Sequence, residues 1–249
     1  MLSLKAAQPA SPRQEFLAGA RDILPLVIGA IPFGIIFGTL AQGSGLSFGA
    51  TLAMSAFVFA GSSQFIALGL LTAGSSVALI VLTTFVVNLR HMLYAASLVP
   101  HVRHLPTGWK ALIAFWLTDE AFVVAIRRYD QLDTSPYKHW YYMGAALAMY
   151  SNWQLCTWVG LTLGQLVPNV AAWGLDFAMV ATFIGMVVPY VTTWPMGATV
   201  LAAGLTAVLC HGLPHQLGLM VAAIVGVIAG LLVEANAGSR SQSPGKFYE

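Results

Sequence analysis

Two adjacent carboxylates, Asp119 and Glu120, interrupt a stretch of the chain that otherwise resembles an apolar helix. Charged groups are costly in such surroundings, so at least one of them should be protonated or paired with a cation such as Arg90. A carboxyl group that exchanges protons would suit proton coupling. The alternative interpretation is a structural ion pair.

A second polar segment, AGSSQF at residues 60–65, lies inside another apolar stretch. Gly61, Ser62, Ser63 and Gln64 are expensive in lipid unless the helix unwinds there and lines a cavity. The first N–H groups of a half-helix starting at the serines would then bind a carboxylate. The alternative is helix packing through small residues, with Gln64 bonded to a neighbouring helix.

Residues 88–91, NLRH, form a third polar group in the apolar region. The imidazole of His91 titrates near neutral pH and is a candidate proton carrier. Asn88 shares a helix face with His91, whereas Arg90 points elsewhere. The alternative is an interfacial anchor, with Arg90 near a helix end and its guanidinium snorkelling to the interface.

Asn152 and Trp153 place polar groups in a later apolar stretch, where they either contact a substrate or bridge helices. No metal-ligand spacing, nucleotide-binding loop or nucleophile elbow occurs. We therefore expect no metal, no cofactor, no enzymatic activity and no ATP-driven pumping by this chain alone.

Composition indicates the elements that must hold these groups. Of 249 residues, 58% are hydrophobic and 8% charged, against about 25% charged in soluble domains. A spanning helix takes about 20 apolar residues. The sequence predicts an all-α, polytopic membrane helix bundle of seven or eight spans, at residues 23–41, 49–71, 77–100, 109–126, 140–166, 173–188, 196–209 and 216–233.

The predicted organisation is a tail at residues 1–22 with an interfacial helix at 14–22, a transmembrane domain at 23–233, and a disordered tail at 234–249. The cations that precede the first span favour a cytoplasmic N-terminus. In an eight-span order, the loop of Arg103 and Lys110 would face outside, against the same rule. A re-entrant hairpin early in the chain would move this loop to the cytoplasmic side. The sequence therefore leaves the topology open.

Two features bear on whether the bundle consists of two related halves with broken helices. Residues 38–59 and 164–185 share a weak pattern at an offset of 126 residues, as expected for transporter repeats. Pro32, with Gly34 and Gly38 after it, either breaks the first span or allows close helix packing.

Several ordered motifs resemble one known family: FAGSSQF at 59–65, NLRHMLY at 88–94, LTDEAF at 117–122, and GAIPFG at 29–34 with the later GLDF at 174–177. Together with Pro189, they resemble the AzlC family over residues 15–235. Ser62 departs from the small residue, often alanine, expected at that position.

This resemblance implies the large subunit of a bacterial branched-chain amino acid exporter of the inner membrane. The implied substrates are valine, leucine and isoleucine, with methionine as a further candidate. The implied partner is a small membrane protein of the AzlD type; no nucleic acid partner is expected.

A zwitterionic amino acid needs one site for its carboxylate, one for its ammonium group and an apolar pocket. Residues 62–64 suit the carboxylate, and Asp119 or Glu120 suits the ammonium group or the coupling proton. Aromatic residues are candidates for the pocket: Phe33, Phe57, Phe65 and Trp153. The prediction is a secondary, proton-coupled exporter; the alternatives are a passive channel or facilitator and a non-transporting scaffold.

Overall fold

The computed structural model describes residues 11–131, 135–166, 191–213 and 217–241, with positions 184 and 188. Regular structure in these ranges is helical, which confirms the all-α class. The chain forms two compact units, Met1–Thr72 with Ile80–Leu175, and Ala73–Leu79 with Asp176–Glu249. The helices up to residue 166 are α1 (Pro12–Asp22), α2 (Leu24–Gly43), α3 (Phe48–Phe57), α4 (Gly61–Thr72), α5 (Val77–Asn88), α6 (Arg90–Val102), α7 (Thr107–Phe115), α8 (Asp119–Tyr129) and α9 (Lys138–Leu166).

Helix α9 is the centre of the first unit and contacts α1, α2, α3, α7 and α8. Its Tyr142 and Leu161 are fully buried. Where α9 packs against protein, its polar groups find partners on the neighbouring helices. Gln154 Nε2 donates to the Ser55 carbonyl at 2.9 Å, and the hydroxyls of Ser55 and Thr157 lie 3.0 Å apart.

Helix α2 is continuous through Pro32. Its glycines allow it to approach α9 closely. A Cβ at Gly34 would lie 2.6 Å from Cys156 Cβ, and one at Gly38 would lie 2.3 Å from the Thr157 carbonyl oxygen. Of the two interpretations of this segment, close packing is therefore confirmed and a broken helix is wrong.

Contacts between α2 and α9 advance together along both helices, so the two run in the same direction. Asn152 Nδ2 donates to the Val27 carbonyl at 3.3 Å, and Gln42 Nε2 donates to the Leu161 carbonyl at 3.1 Å. We call the end where both helices finish the Leu161 end. The end where α9 starts is the Lys138 end.

Helix α3 starts at the Leu161 end and runs back towards the middle of α9. Its Ser55 carbonyl meets Gln154, and its Ala56 carbonyl accepts from the Tyr150 hydroxyl at 3.3 Å. Successive residues of α3 thus meet earlier residues of α9, which makes the two helices antiparallel.

Helix α4 returns to the Leu161 end alongside α2. The rings of Phe37 and Phe65 lie 6.0 Å apart, and the Thr72 hydroxyl donates to the Ser44 hydroxyl at 3.2 Å. Helices α3 and α4 therefore form a helical hairpin whose base is at the Leu161 end.

Helices α7 and α8 form a second hairpin, with its base at the Lys138 end. Helix α7 runs along α9 in the same direction: the Trp109 ring lies 4.5 Å from the His139 ring, and the Tyr142 hydroxyl donates to the Ile113 carbonyl at 2.8 Å. Helix α8 returns to the Lys138 end, because the backbone carbonyl of its last residue, Tyr129, accepts from Lys138 Nζ at 3.3 Å.

The predicted crossings at 49–71 and 109–126 are therefore wrong, because each is a hairpin of two short helices. Hydropathy cannot distinguish the two cases, since both are apolar over the same length. The tips meet near the middle of α9: the Tyr150 ring lies 4.7 Å from Phe59 and 6.0 Å from Trp116.

The stretch Val77–Val102, which comprises α5, Leu89 and α6, has 26 residues. Among the described residues, two helical stretches are long and apolar enough to cross a membrane: this one and α2. Arg90 is the first residue of α6 and lies near the middle of the whole stretch, so it is not at an end of the apolar stretch, where the interfacial-anchor alternative placed it.

In the second unit, α10 (Trp194–Leu209) packs on α11 (Leu217–Ser241). A Cβ at Gly226 would lie 2.8 Å from Ala203 Cβ, so small residues set this approach. Helix α11 continues past residue 234, where a disordered tail was predicted, because residues 234–237, EANA, sustain a helix. The predicted span at 173–188 lies outside the described residues apart from positions 184 and 188.

Positive charge in the first unit is concentrated at the Lys138 end. This end contains α1, the α6–α7 loop, and the segment between α8 and α9. Apart from Arg90, every Lys and Arg of residues 11–166 lies in these segments or in the helical turn next to them: Arg13, Arg21, Arg103, Lys110, Arg127, Arg128 and Lys138.

Candidate functional site

The tip of the first hairpin exposes the start of a half-helix. Helix α3 ends at Phe57, Phe59 adopts a left-handed φ of 41°, and α4 begins at Gly61. A Cβ at Gly61 would lie 2.9 Å from the Trp153 ring, so the tip packs closely on α9. The first N–H groups of α4 have no partner within their own helix, and they carry its partial positive charge.

The tip of the second hairpin exposes another half-helix. The Thr118 hydroxyl accepts from the Ala121 N–H at 3.2 Å and caps α8. Asp119 and Glu120 are then in the first helical turn, where carboxylates are favoured. Sequence reasoning placed these two residues midway along a span; the cap makes them the start of a helix.

The interruption at Leu89 directs two side chains of the α5–α6 stretch towards α4. The Ser63 hydroxyl donates to Asn88 Oδ1 at 2.8 Å, and Arg90 Nη2 donates to the Ser62 hydroxyl at 2.7 Å. An unbroken helix would point residues 88 and 90 in different directions, which is why the sequence predicted that Arg90 points elsewhere.

Arg90 also pairs with the second hairpin. Its Nη1 lies 3.0 Å from Asp119 Oδ2, and the Tyr94 hydroxyl donates to Asp119 Oδ1 at 2.6 Å. We call Ser62, Arg90 and Asp119 the polar bridge, because they link the starts of α4 and α8. The Arg90 and Asp119 side chains are 31% and 28% exposed, so the pair is open to exchange with another charged ligand.

Of the two adjacent carboxylates, Asp119 is the one that faces Arg90. Glu120 is half-buried, and within the described residues it forms no ion pair. His91 is not part of the polar bridge: its Nδ1 lies 3.1 Å from the Asn88 carbonyl, and its ring packs edge-on against Tyr94.

Next to the bridge, Gln64 is fully buried, and neither polar atom of its amide has a hydrogen-bond partner among the described residues. The Trp153 indole N–H and Arg90 Nε are also buried without partners in the part of the chain that the structure describes. Leaving such groups unpaired costs about 1–3 kcal/mol each. Their concentration at the start of α4 marks a place where a polar ligand would be stabilised.

Aromatic rings cover the same region. Phe37 is fully buried, and its ring lies 6.0 Å from Phe65 and 6.3 Å from Trp153, with the latter pair stacked. Phe33 is buried too. Phe57 is 77% exposed, so its predicted place in an apolar pocket is wrong; it precedes the tip and faces outwards.

Asn152 lies in the α2–α9 interface. Besides the bond to Val27, its Oδ1 accepts from Cys156 Sγ at 3.6 Å. These contacts correspond to the helix-bridging alternative. Most of the second copy of the weak repeat lies outside the described residues.

Sequence reasoning missed three residues of this site: Tyr94, Thr118 and Phe37. Tyr94 follows Arg90 by four positions, the spacing of neighbours on one helix face. Thr118 before Asp-Glu is the pattern of a helix start. Nothing in its local sequence distinguishes Phe37 from the other apolar residues of α2. Within the described residues, no cluster of three metal-ligating side chains occurs.

Comparison with known proteins places this arrangement in a family. The profile of the AzlC protein family matches residues 25–167, which contain both hairpins and the polar bridge. The chain is 35% identical to the inner membrane protein YgaZ of Escherichia coli over 182 residues, 71% of this chain and 74% of that protein.

Two further relatives extend the comparison. An uncharacterized membrane protein of Archaeoglobus fulgidus is 30% identical over 85% of this chain and 92% of its own length. The branched-chain amino acid transport protein AzlC of Bacillus subtilis is 30% identical over 65% of this chain and 62% of its own. No solved structure matches the chain. The chain is therefore a member of the AzlC family of membrane proteins.

Proposed function

We propose that this protein is a secondary transporter that exports branched-chain amino acids across the bacterial inner membrane, coupled to protons and together with a small AzlD-type subunit. The observation that carries this proposal is the polar bridge between two half-helix starts. The name of the Bacillus subtilis relative, a branched-chain amino acid transport protein, supports the substrate class.

The bridge offers complementary charges to a zwitterion. The substrate carboxylate would bind Arg90, the Ser62 hydroxyl and the N–H groups at the start of α4. The substrate ammonium group would bind Asp119. The ion pair at 3.0 Å thus supplies both charges, and the substrate replaces each partner as it enters. The unpartnered amide of Gln64 adds a donor and an acceptor.

The aromatic rings suit a branched aliphatic side chain. Phe37, Phe65 and Trp153 form an apolar wall beside the start of α4. Burying a side chain of the size of leucine in such a wall contributes about 1.5–3 kcal/mol. A lysine side chain would leave its ammonium group unpaired there and should be rejected.

Protonation of Asp119 provides the coupling step. The neutral acid holds Arg90 and the substrate ammonium group less strongly than the carboxylate does. Proton binding from one side would therefore favour release of the amino acid on that side. The two hairpins open towards opposite ends of the unit, an arrangement suited to alternating access from the two sides.

The charge distribution supports one orientation of the protein in the membrane. Because Lys and Arg outside the bridge are concentrated at the Lys138 end, this end should face the cytoplasm. The hairpin α7–α8 removes the conflict over Arg103 and Lys110, since their loop returns to the same end as Arg127 and Arg128.

The first experiment measures retention of labelled valine, leucine, methionine and lysine in cells with or without this chain and its small partner. We expect lower retention of the branched-chain substrates when both chains are present, unchanged lysine, and loss of the difference with a protonophore. Unchanged retention of all four contradicts the proposal. Downhill flux that persists with a protonophore and in Asp119→Ala identifies a passive channel instead.

A further inference from the structure

A cavity of about 250 Å³ lies at the Lys138 end, away from the polar bridge. Its polar lining is rich in hydrogen-bond donors: His101 from the end of α6, His104 from the α6–α7 loop, Tyr129 from α8, and Lys138 and His139 from α9. No acidic residue lines it among the described residues. A ligand there would meet positive charge and N–H or O–H groups.

The Tyr129 hydroxyl is a second observation that points to a ligand. Tyr129 is 9% exposed, and its hydroxyl is buried with no hydrogen-bond partner within the described ranges. The His101 ring stacks on the Tyr129 ring at 5.1 Å, which holds both side chains in the wall of the cavity. A buried hydroxyl of this kind is costly unless an acceptor reaches it.

The surroundings indicate the depth of the cavity in the membrane. Trp109 and Trp140 pack together at 4.9 Å, and the Trp109 ring contacts His139. Tryptophan is enriched at the level of the lipid headgroups. The cavity is thus at the interface and on the end of the unit that carries the positive charge.

We propose that this cavity binds the phosphate group of an anionic phospholipid, with His104, His139, Tyr129 and the Lys138 charge as its ligands. The Lys138 ammonium is anchored on the carbonyls of Tyr129 and Gln131 and supplies positive potential from a fixed position. A phosphodiester offers acceptors to the imidazole N–H groups and to the tyrosine hydroxyl. The site lies away from the polar bridge, since Tyr129 and Asp119 are at opposite ends of α8, and it does not depend on the substrate proposed above.

The test measures binding of tail-labelled phosphatidylglycerol, with its headgroup unmodified, to the full chain in neutral detergent micelles. His104 is exposed, so His104→Glu should fold normally while repelling phosphate. We expect its affinity to fall at least roughly tenfold, the factor expected from one lost hydrogen bond to a charged group. Tyr129→Phe keeps the ring stacking and should weaken binding less.

The matched control is His211→Glu, the same change at an exposed histidine of the second unit, which should bind like wild type. Diacylglycerol with the same tail label, which has no phosphate group, should bind wild type and His104→Glu equally. Competition by millimolar inorganic phosphate, lost in His104→Glu, would support the phosphate site with free phosphate as its source. Wild-type affinity for phosphatidylglycerol in both His104→Glu and Tyr129→Phe would overturn the proposal.

Discussion

Two arginine–carboxylate pairs in the first unit have the same chemistry and opposite surroundings. Arg128 and Glu15 join α8 to α1 through two contacts, and their side chains are 12% and 2% exposed. The Ser135 hydroxyl also donates to Glu15, at 2.6 Å. Arg90 and Asp119 are joined by one contact, and about a third of each side chain is exposed.

The difference separates a structural pair from an exchangeable one. Every part of the Arg128–Glu15 pair is held by further neighbours, including the Gln131 amide oxygen and the Tyr141 ring. Removing one partner of a buried pair leaves the other charge uncompensated, at a cost of about 3–5 kcal/mol. The Arg90–Asp119 pair can separate at a lower cost, as the proposed transport cycle requires.

The largest effect on transport is expected from Asp119→Ala. The change removes the proposed proton and ammonium site, so export of valine and leucine should fall to background. The amount of protein in the membrane should stay near wild type, because the pair is partly exposed. Labelled amino acid retention and quantitative immunoblotting measure both. Asp130→Ala is the matched control at an exposed carboxylate beyond α8. Export at the wild-type rate by Asp119→Ala would contradict the assignment of Asp119 as the proton and ammonium site.

The opposite pattern is expected from Glu15→Gln. Arg128 keeps its charge and loses its partner, so the unfolding free energy should fall by about 3–5 kcal/mol. Thermal unfolding in detergent should show a lower midpoint and less protein in the membrane. Transport per folded molecule should be unchanged. Normal stability with lost transport would reverse our distinction between the two pairs.

Gln64→Ala separates function from stability at the start of α4. The amide is buried without partners, so its removal should leave the unfolding midpoint unchanged or raise it, while export is lost. Gln42→Ala is the control, because it removes an amide that, unlike that of Gln64, has a hydrogen-bond partner, the Leu161 carbonyl. A large loss of stability in Gln64→Ala, with transport per folded molecule retained, would assign Gln64 to packing.

The smallest effect is expected from Tyr94→Phe. The variant loses one hydrogen bond to Asp119 and keeps the ring that stacks on Phe122 at 4.5 Å. One such bond to a charged group contributes about 1.5–3 kcal/mol. The KM for leucine should rise roughly tenfold or more while the protein level stays constant. An unchanged KM, with an unchanged dependence of transport on pH, would place Tyr94 outside the substrate site.

Local sequence was sufficient to select the polar residues of the site, because the free-energy cost of a polar side chain in an apolar stretch can be recognised without a structure. Ser62, Arg90 and Asp119 were all selected on this ground. Their mutual contacts were only partly predictable: Arg90 was named as a cation for the carboxylates, but Ser62 was assigned separately. Tyr94 and Phe37 were missed because their contributions to the site depend on contacts with residues that are distant in sequence.

The amino-acid sequence is enough to establish an all-α membrane protein of the AzlC family and the positions of its polar groups, because hydropathy and side-chain cost are local properties. Tertiary structure decided that residues 48–72 and 107–129 fold back as hairpins, that Asp119 and not Glu120 meets Arg90, and that positive charge gathers at one end. A crossing helix and two half-length helices have the same apolar composition. Packing against α9, together with local signals such as the Thr118 cap, fixes where each of these segments turns.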